Sequence, residues 1–110
     1  MLPETRKYLF DVSNSINSIY EFLGTTRDFN SYRKNKMMKR AVEREFEIIG
    51  EAMSRILESE PQISIKDSRR IVDFRNWVIH GYDTVDDVIV WGIISKDLPI
   101  LKKEVEKLLL

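Results

Sequence analysis

Apolar residues recur at every third or fourth position over most of the chain, the spacing that places them on one face of an α-helix. The first such run predicts a helix from about residue 4 to residue 23. Gly24 is its predicted stop, because glycine readily takes the conformation that ends helices. The apolar positions of this first helix are Leu9, Val12, Ile16, Ile19, Tyr20 and Leu23.

Two more helices follow in the same pattern. A short helical piece carries Phe29 and Tyr32, with a break predicted at Asn35. The longest helix is predicted over about residues 36 to 59, and Pro61 ends it. Charged residues cover its other faces, whereas its apolar face consists of Met38, Ala41, Val42, Phe46, Ile49, Met53 and Ile56.

The last part of the chain predicts two further helices. Ser64, followed three residues on by Asp67, is expected to cap a fourth helix that runs to about Ile79 or His80. The final helix is expected to begin at Asp83 or Thr84, with a kink or break near residues 95 to 97 because of Pro99. The predicted buried positions are Ile71, Phe74 and Val78 in the fourth helix and Val85, Val88, Ile89, Gly92, Leu101, Val105 and Leu108 in the last.

This pattern predicts an all-α protein, since no segment alternates as a strand would. Short connections favour an antiparallel, up-and-down bundle of about five helices, and 110 residues suit one domain spanning 1–110. Trp77 and Trp91 are interpreted as packing residues, and so are Met37, Met38 and Met53.

Composition narrows the functional classes. Eighteen basic and 18 acidic residues give zero net charge, so a protein that coats nucleic acid is not expected. The chain has no cysteine, which excludes disulfides and thiolate metal sites and fits a reducing cytoplasm. No apolar run is long enough to span a membrane, and the N-terminus lacks the apolar core of a signal peptide.

The densest chemistry lies between Arg75 and Tyr82, in the string Arg-Asn-Trp-Val-Ile-His-Gly-Tyr. His80 is the only histidine of the chain, and its side chain can take and give protons near neutral pH. Arg75 can hold a phosphate by paired hydrogen bonds. Together they suit cleavage of a phosphodiester without a metal or cofactor.

The spacing alone leaves the roles of these residues open. Positions five apart on a helix differ by about 140° around the axis, so Arg75 and His80 converge only if His80 lies in the last turn. A dimer with its twofold axis beside the fourth helix would bring two copies of each residue into one cleft. Alternatively, His80 simply favours the negative end of the helix dipole, and Arg75 pairs with Asp73 or Glu51.

The motif resembles the Arg-x4-His-x-Tyr motif of the HepT-like toxins in the HEPN superfamily. Two further segments resemble that family: residues 41–44 with 48–52, and residues 85–99 of the closing helix. Asp83-Thr84 departs from the aromatic-glycine pair that often follows the tyrosine. The resemblance runs in order and spacing from about residue 5 to residue 105.

The resemblance implies a helical-bundle homodimer that acts as a metal-independent endoribonuclease. It implies Arg75 and His80 as the catalytic pair, Asn76 as a supporting polar residue, and Tyr82 as the acceptor of AMP or a substrate contact. The implied partners are RNA and a cognate MNT-type nucleotidyltransferase antitoxin, with no DNA and no membrane. The alternative is a non-catalytic member of the same fold that binds the nucleotidyltransferase.

Two charged groups have competing interpretations. The basic run Arg33, Lys34, Lys36, Lys39 and Arg40, with Arg69 and Arg70 nearer the motif, is either a solvated helix face or a patch that guides RNA or an acidic partner. The acidic group Asp83, Asp86 and Asp87 is interpreted as capping the last helix rather than as holding a metal.

Overall fold

The structure of the chain is a computed structural model that describes residues 1–80 and 86–110, and for residues 75–80 it describes the backbone alone. Its helices are α1 (Pro3–Leu23), α2 (Phe29–Lys34), α3 (Lys36–Ser59), α4 (Ser68–His80), α5 (Asp87–Gly92) and α6 (Leu98–Leu109), and a π-helical segment, Ile93–Asp97, joins α5 to α6. Because α5, the π segment and α6 are continuous, the described residues form five helical rods and no strand. The prediction of an all-α bundle of about five helices is confirmed.

Contacts at the helix ends show that neighbouring long helices run antiparallel. The backbone N–H of Leu2, just before α1, donates to Oε1 of Glu60, just after α3, at 2.9 Å. Arg6 near the start of α1 donates to the carbonyl of Leu109 at the end of α6. The ends of α1 and α4 and the starts of α3 and α5 therefore lie at one end of the bundle.

The core lies mainly between α1 and α3, with α4 packed on α3 and α6 packed on α1. Burying an aliphatic side chain of this kind contributes roughly 1.5–3 kcal/mol. The predicted apolar faces of the first and third helices are largely confirmed, and the fully buried residues include Leu9, Val12, Ile16, Ile19, Val42, Ile49, Met53 and Ile56.

Two predicted helix ends are confirmed in detail. Gly24 ends α1 with φ +56°, and its N–H donates to the carbonyl of Tyr20 at 2.9 Å. Asn35 separates α2 from α3: its N–H donates to the carbonyl of Tyr32, and its Oδ1 accepts from the N–H of Met38. One residue therefore ends the second helix and caps the third.

Two predicted helix starts are wrong. The fourth helix begins at Ser68 and not near Ser64, because Ile65 turns into the core and the N–H of Lys66 donates to Glu104 Oε2 at 2.9 Å. The last helix begins at Asp87, and Asp86 caps it by accepting from the N–H groups of Val88 and Ile89. Asp83, Thr84 and Val85 lie outside the described residues.

The interruption predicted from Pro99 takes the form of a π-helical segment. Proline has no N–H and clashes with the carbonyl four residues earlier, so it cannot continue the α-helical ladder. The wider turn lets the N–H of Leu98 donate to the carbonyl of Ile93, five residues back, and Pro99 then sits in the first turn of α6. The helix is interrupted near the predicted place without being broken.

Several apolar residues lie on the outside of the bundle, contrary to prediction. Val88 and Ile89 are 65% and 49% exposed, whereas Val90 and Ile94 are buried instead. Leu101 and Val105 of the same continuous helix are buried, so the predicted apolar positions of this helix do not all face one core. Met37, predicted as core filler, is 83% exposed.

Among the described helices, none is long and apolar enough to cross a membrane.

Candidate active site

The Arg75–Tyr82 motif begins in the last turns of α4. Arg75, Asn76 and His80 belong to this helix, and His80 is the last residue of α4 that the structure describes. Their side chains are not among those that the structure describes, and Tyr82 lies outside the described residues. The structure therefore gives the backbone positions of Arg75, Asn76 and His80 on α4.

The backbone separates Arg75 from His80 within one subunit. Because α4 remains α-helical through His80, the two positions lie about 140° apart around the axis and about 7.5 Å apart along it. The backbone positions of Arg75 and His80 therefore lie on different faces of α4. A single copy of this helix does not bring them together.

The height of His80 along the bundle axis can be estimated from a contact between α4 and the segment that follows α5. Arg70 on α4 donates through Nη2 to Oδ2 of Asp97 at 3.1 Å. Ten residues further along α4 is His80, and ten residues back along the antiparallel helix is Asp87. This count places the end of α4 and the start of α5 at about the same height along the bundle.

The packing of α4 on α3 gives the same level independently. The ring of Phe74 meets that of Phe46 edge-on, with 5.2 Å between their centroids. Six residues on along α4 and seven back along α3 lead to His80 and Lys39. This count places Lys39 near the height of His80, and Lys39 Nζ is 3.1 Å from Oδ2 of Asp87 at the start of α5.

Comparison with known proteins identifies the family to which the chain belongs. The sequence profile described as "Ribonuclease HepT-like" matches residues 12–108, which is most of the chain and includes the whole motif. The chain belongs to the HepT-like ribonuclease family. The resemblance stated from the motif and its flanking segments is confirmed, and with it a ribonuclease activity whose substrate is RNA.

Full-length relatives agree with this assignment. The chain is 37% identical over 108 residues to "Putative RNase MJ1380" of Methanocaldococcus jannaschii, with 94% of each chain covered. It is 35% identical over 109 residues to "Probable ribonuclease HepT" of Thermococcus cleftensis, again with 94% of each covered. No solved structure matches the chain significantly.

A half-buried polar cluster lies beside the end of α4 in this HepT-like protein. It consists of Tyr32, Lys39, Glu43 and Asp87. Tyr32 is fully buried, its ring lies 5.2 Å from that of Trp91, and its hydroxyl has no hydrogen-bond partner among the described residues. Burial raises the pKa of Tyr32, and the nearby carboxylates Glu43 and Asp87 raise it further.

The two carboxylates of this cluster, Glu43 and Asp87, are in different environments. Burial raises the pKa of Glu43, Arg40 partly opposes this, and the neighbouring carboxylate of Asp87 adds to it. Lys39 neutralises Asp87 by direct contact. The residue pattern along the chain does not indicate this cluster, because its members come from three helices. The one signal in the sequence is Glu43, an acid that borders the apolar face of α3.

The acidic residues at the start of α5 have structural roles. Asp86 caps the helix, and Asp87 lies in its first turn and also pairs with Lys39. This confirms the capping interpretation for Asp86 and the first-turn position of Asp87, and Asp83 lies outside the described residues. Within the described part of the chain, no group of three or more histidine, cysteine, aspartate or glutamate side chains is arranged to hold a metal ion.

An open groove runs between α4 and α5 on the outer face of the bundle. Its apolar floor is formed by Phe74, Val88, Ile89, Gly92 and Ile93, and Arg70, Asp73, Lys96 and Asp97 form its charged rim. An apolar groove of this kind, rimmed by charge, is typical of a protein contact surface.

Proposed function

We propose that this HepT-like ribonuclease is a metal-independent endoribonuclease that acts in the cytoplasm as the toxin of a toxin–antitoxin pair. The observation that carries the proposal is the Arg75-x4-His80-x-Tyr82 motif at the end of α4 in a member of a ribonuclease family. An imidazole and a guanidinium supply what cleavage of RNA needs, since RNA provides its own nucleophile.

The proposed reaction is an attack of the ribose 2′-hydroxyl on the adjacent phosphorus. His80 removes the proton of that hydroxyl, the bond from phosphorus to the 5′-oxygen breaks, and an imidazolium returns a proton to the leaving oxygen. Arg75 holds the non-bridging oxygens as their charge grows, with Asn76 as a supporting polar group. The products are a 2′,3′-cyclic phosphate and a 5′-hydroxyl. DNA lacks the attacking group and is not cleaved.

We place this site across the seam of a homodimer. The 140° separation of Arg75 and His80 on one α4 supports this, because residues from two subunits meet more easily in a shared cleft. The exposed Val88 and Ile89 beside α4 supply apolar surface for such a seam. In a cleft with two histidines, one serves as the base and the other as the acid.

The partner that we propose is an MNT-type nucleotidyltransferase antitoxin that transfers AMP to Tyr82. Tyr82 follows the last residue of α4 by two positions, so a group attached to it stays near His80 along the chain. AMP there would add bulk and negative charge where the RNA phosphate has to bind. The modification would therefore silence the toxin.

The test is cleavage of single-stranded RNA by the purified protein in EDTA, with the product ends identified by mass spectrometry. We expect cyclic-phosphate ends from the wild type and at least a thousandfold slower cleavage by His80→Ala, because no other histidine can take over proton transfer. Light scattering and circular dichroism of both proteins control for assembly and folding. Full activity of a clean His80→Ala preparation would remove this mechanism.

The same assay, combined with a measurement of binding to the nucleotidyltransferase, decides the alternative. A wild-type dimer that binds a nucleotidyltransferase but leaves RNA intact would be a non-catalytic binding module.

A further inference from the structure

We propose that the corner between α2 and α3 binds the backbone of the RNA strand that enters the active site. This basic corner consists of Arg33, Lys34 and Lys36. The ligand class is a single-stranded polyphosphate backbone, contacted through its phosphates without selection of bases. The inference rests on the proposed function only for the position of the cleaved bond beside α4.

The structure separates the basic run into two groups. Lys39 pairs with Asp87 and Arg40 with Glu43, at 3.1 and 3.4 Å. Arg33, Lys34 and Lys36 are exposed, and none of the three forms an ion pair within the part of the chain that the structure describes. Three cations within four positions thus face the solvent without a neutralising partner.

Acidic residues near the corner are already engaged. Asp28 caps α2: its Oδ2 accepts from the N–H and the hydroxyl of Ser31, at 3.0 and 2.7 Å. These hydrogen bonds lower the pKa of Asp28, and the charge of Lys34 adds a smaller lowering. Asp28 is the single acidic residue between positions 25 and 36, so the three cations of the corner outnumber it.

The corner is held in a fixed shape. Asn35 caps α3 through Oδ1 and ends α2 through its N–H, so the three cations flank a doubly anchored residue. Tyr32 lies fully buried directly beneath and packs on Trp91 of α5. A fixed array of cations binds phosphates with less loss of conformational freedom than a mobile loop does.

The corner lies at the end of the bundle that holds the end of α4. Lys36 precedes Lys39 by three residues, which is about 4.5 Å along α3. Counting residues along α3 and α4 from the contact between Phe46 and Phe74 places Lys39 near the level of His80, and Lys39 bonds to Asp87 at the start of α5. Since neighbouring helix axes lie about 8–10 Å apart, a strand bound at His80 reaches the corner within a few nucleotides.

RNA explains the corner better than an acidic protein surface does. The substrate of this family is a polyanion, and a strand held at the motif has to leave it in some direction. Met37, which follows Lys36 and is 83% exposed, offers a flexible apolar contact to an unpaired base. An acidic protein would require a matched surface for which the described residues give no indication beyond charge.

The experiment compares two variants with the same change in charge. The corner variant is Arg33→Gln, Lys34→Gln, Lys36→Gln. The control variant is Lys66→Gln, Lys103→Gln, Lys107→Gln, which removes three exposed cations at the opposite end of the bundle, where Lys66 N–H bonds Glu104. Both are made with His80→Ala so that RNA stays intact, and the Kd for a single-stranded RNA is measured at 50 and 200 mM salt.

We expect the corner variant to lose most of the salt dependence. Three phosphate contacts on a single strand give a slope of about 2 in log affinity against log salt, so a fourfold dilution of salt strengthens their contribution roughly twentyfold. The deficit of the corner variant against its parent should thus be roughly twentyfold larger at 50 mM than at 200 mM salt. The control variant should show a much smaller change.

The outcomes are separate from those of the proposed function, since binding in the His80→Ala background does not depend on cleavage. Equal losses of affinity in the corner and control variants would overturn the proposal. It would also be overturned if the corner variant kept its RNA affinity and instead lost binding to the nucleotidyltransferase, which would assign the corner to a protein partner.

Discussion

The ion pair between Lys39 and Asp87 is the one described ion pair that joins α3 to the start of α5. Its atoms are 3.1 Å apart, and its side chains are only 25% and 21% exposed. It lies level with His80 and beside Glu43. We predict that it stabilises the bundle measurably, unlike an exposed pair of the same length.

The magnitude follows from burial and from the neighbouring charges. Two unit charges at this distance attract by about 5 kcal/mol at an effective dielectric of 20, but desolvation and lost side-chain freedom offset most of this. We expect a coupling energy of about 1 kcal/mol between Lys39 and Asp87. Lys39→Met should cost more than Asp87→Asn, because it leaves Asp87 facing Glu43, whose pKa that carboxylate already raises.

The assay is a double-mutant cycle measured by urea unfolding, with Lys39→Met, Asp87→Asn and the double variant. The matched control is the cycle for Arg44 and Glu47, which are 3.2 Å apart on α3 with the arginine 67% exposed. That coupling should be about 0.3 kcal/mol. Equal coupling energies for the two pairs, or a larger cost for Asp87→Asn than for Lys39→Met, would refute this reasoning.

Two further predictions concern the same end of the bundle. Asp86→Ala removes the acceptor that caps α5, so we expect a loss of about 1 kcal/mol and a Tm lower by about 4 °C, with a much smaller change for Asp86→Asn; equal losses would show that the cap is not the cause. Glu43→Gln tests pH dependence. Burial raises the pKa of Glu43 above its unfolded value, so the folded chain holds this proton more tightly and the residue's contribution to stability falls as pH rises above about 4.5. Urea unfolding should therefore show Glu43→Gln gaining stability over wild type as pH rises to 7, and a constant difference would contradict the shift.

Local pattern was sufficient for the first half of the fold. Gly24 and Asn35 act through their own backbone and side chains, so residue type alone indicated where α1, α2 and α3 end or begin. The start of α4 could not be read in this way. The sequence offers a capping pair at Ser64 and Asp67, but burial of Ile65 and the distant acceptor Glu104 use the residues that would have formed the first turn.

The buried face of the last helix was predicted wrongly for a different reason. Val88 and Ile89 lie on one face and Val90 and Ile94 on another, and both faces are apolar. Periodicity alone does not distinguish a face that packs in its own core from one left for another molecule. The motif was found from residue types at fixed spacing, whereas the polar cluster around Tyr32 depends on contacts between residues far apart in sequence, which no local pattern contains.

Zero net charge, which argued against a protein that coats nucleic acid, is compatible with an RNA-binding surface once the charges are placed. All three arginines of α3 pair with glutamates of the same helix: Arg40 with Glu43, Arg44 with Glu47, and Arg55 with Glu51 and Glu58. These glutamates are therefore paired within α3. In the described part of the chain, Arg33, Lys34 and Lys36 form no ion pair. A neutral chain can thus present a short positive segment at one end of its bundle, beside the helix end that carries His80, and release its RNA readily because the attraction is confined to a few phosphates.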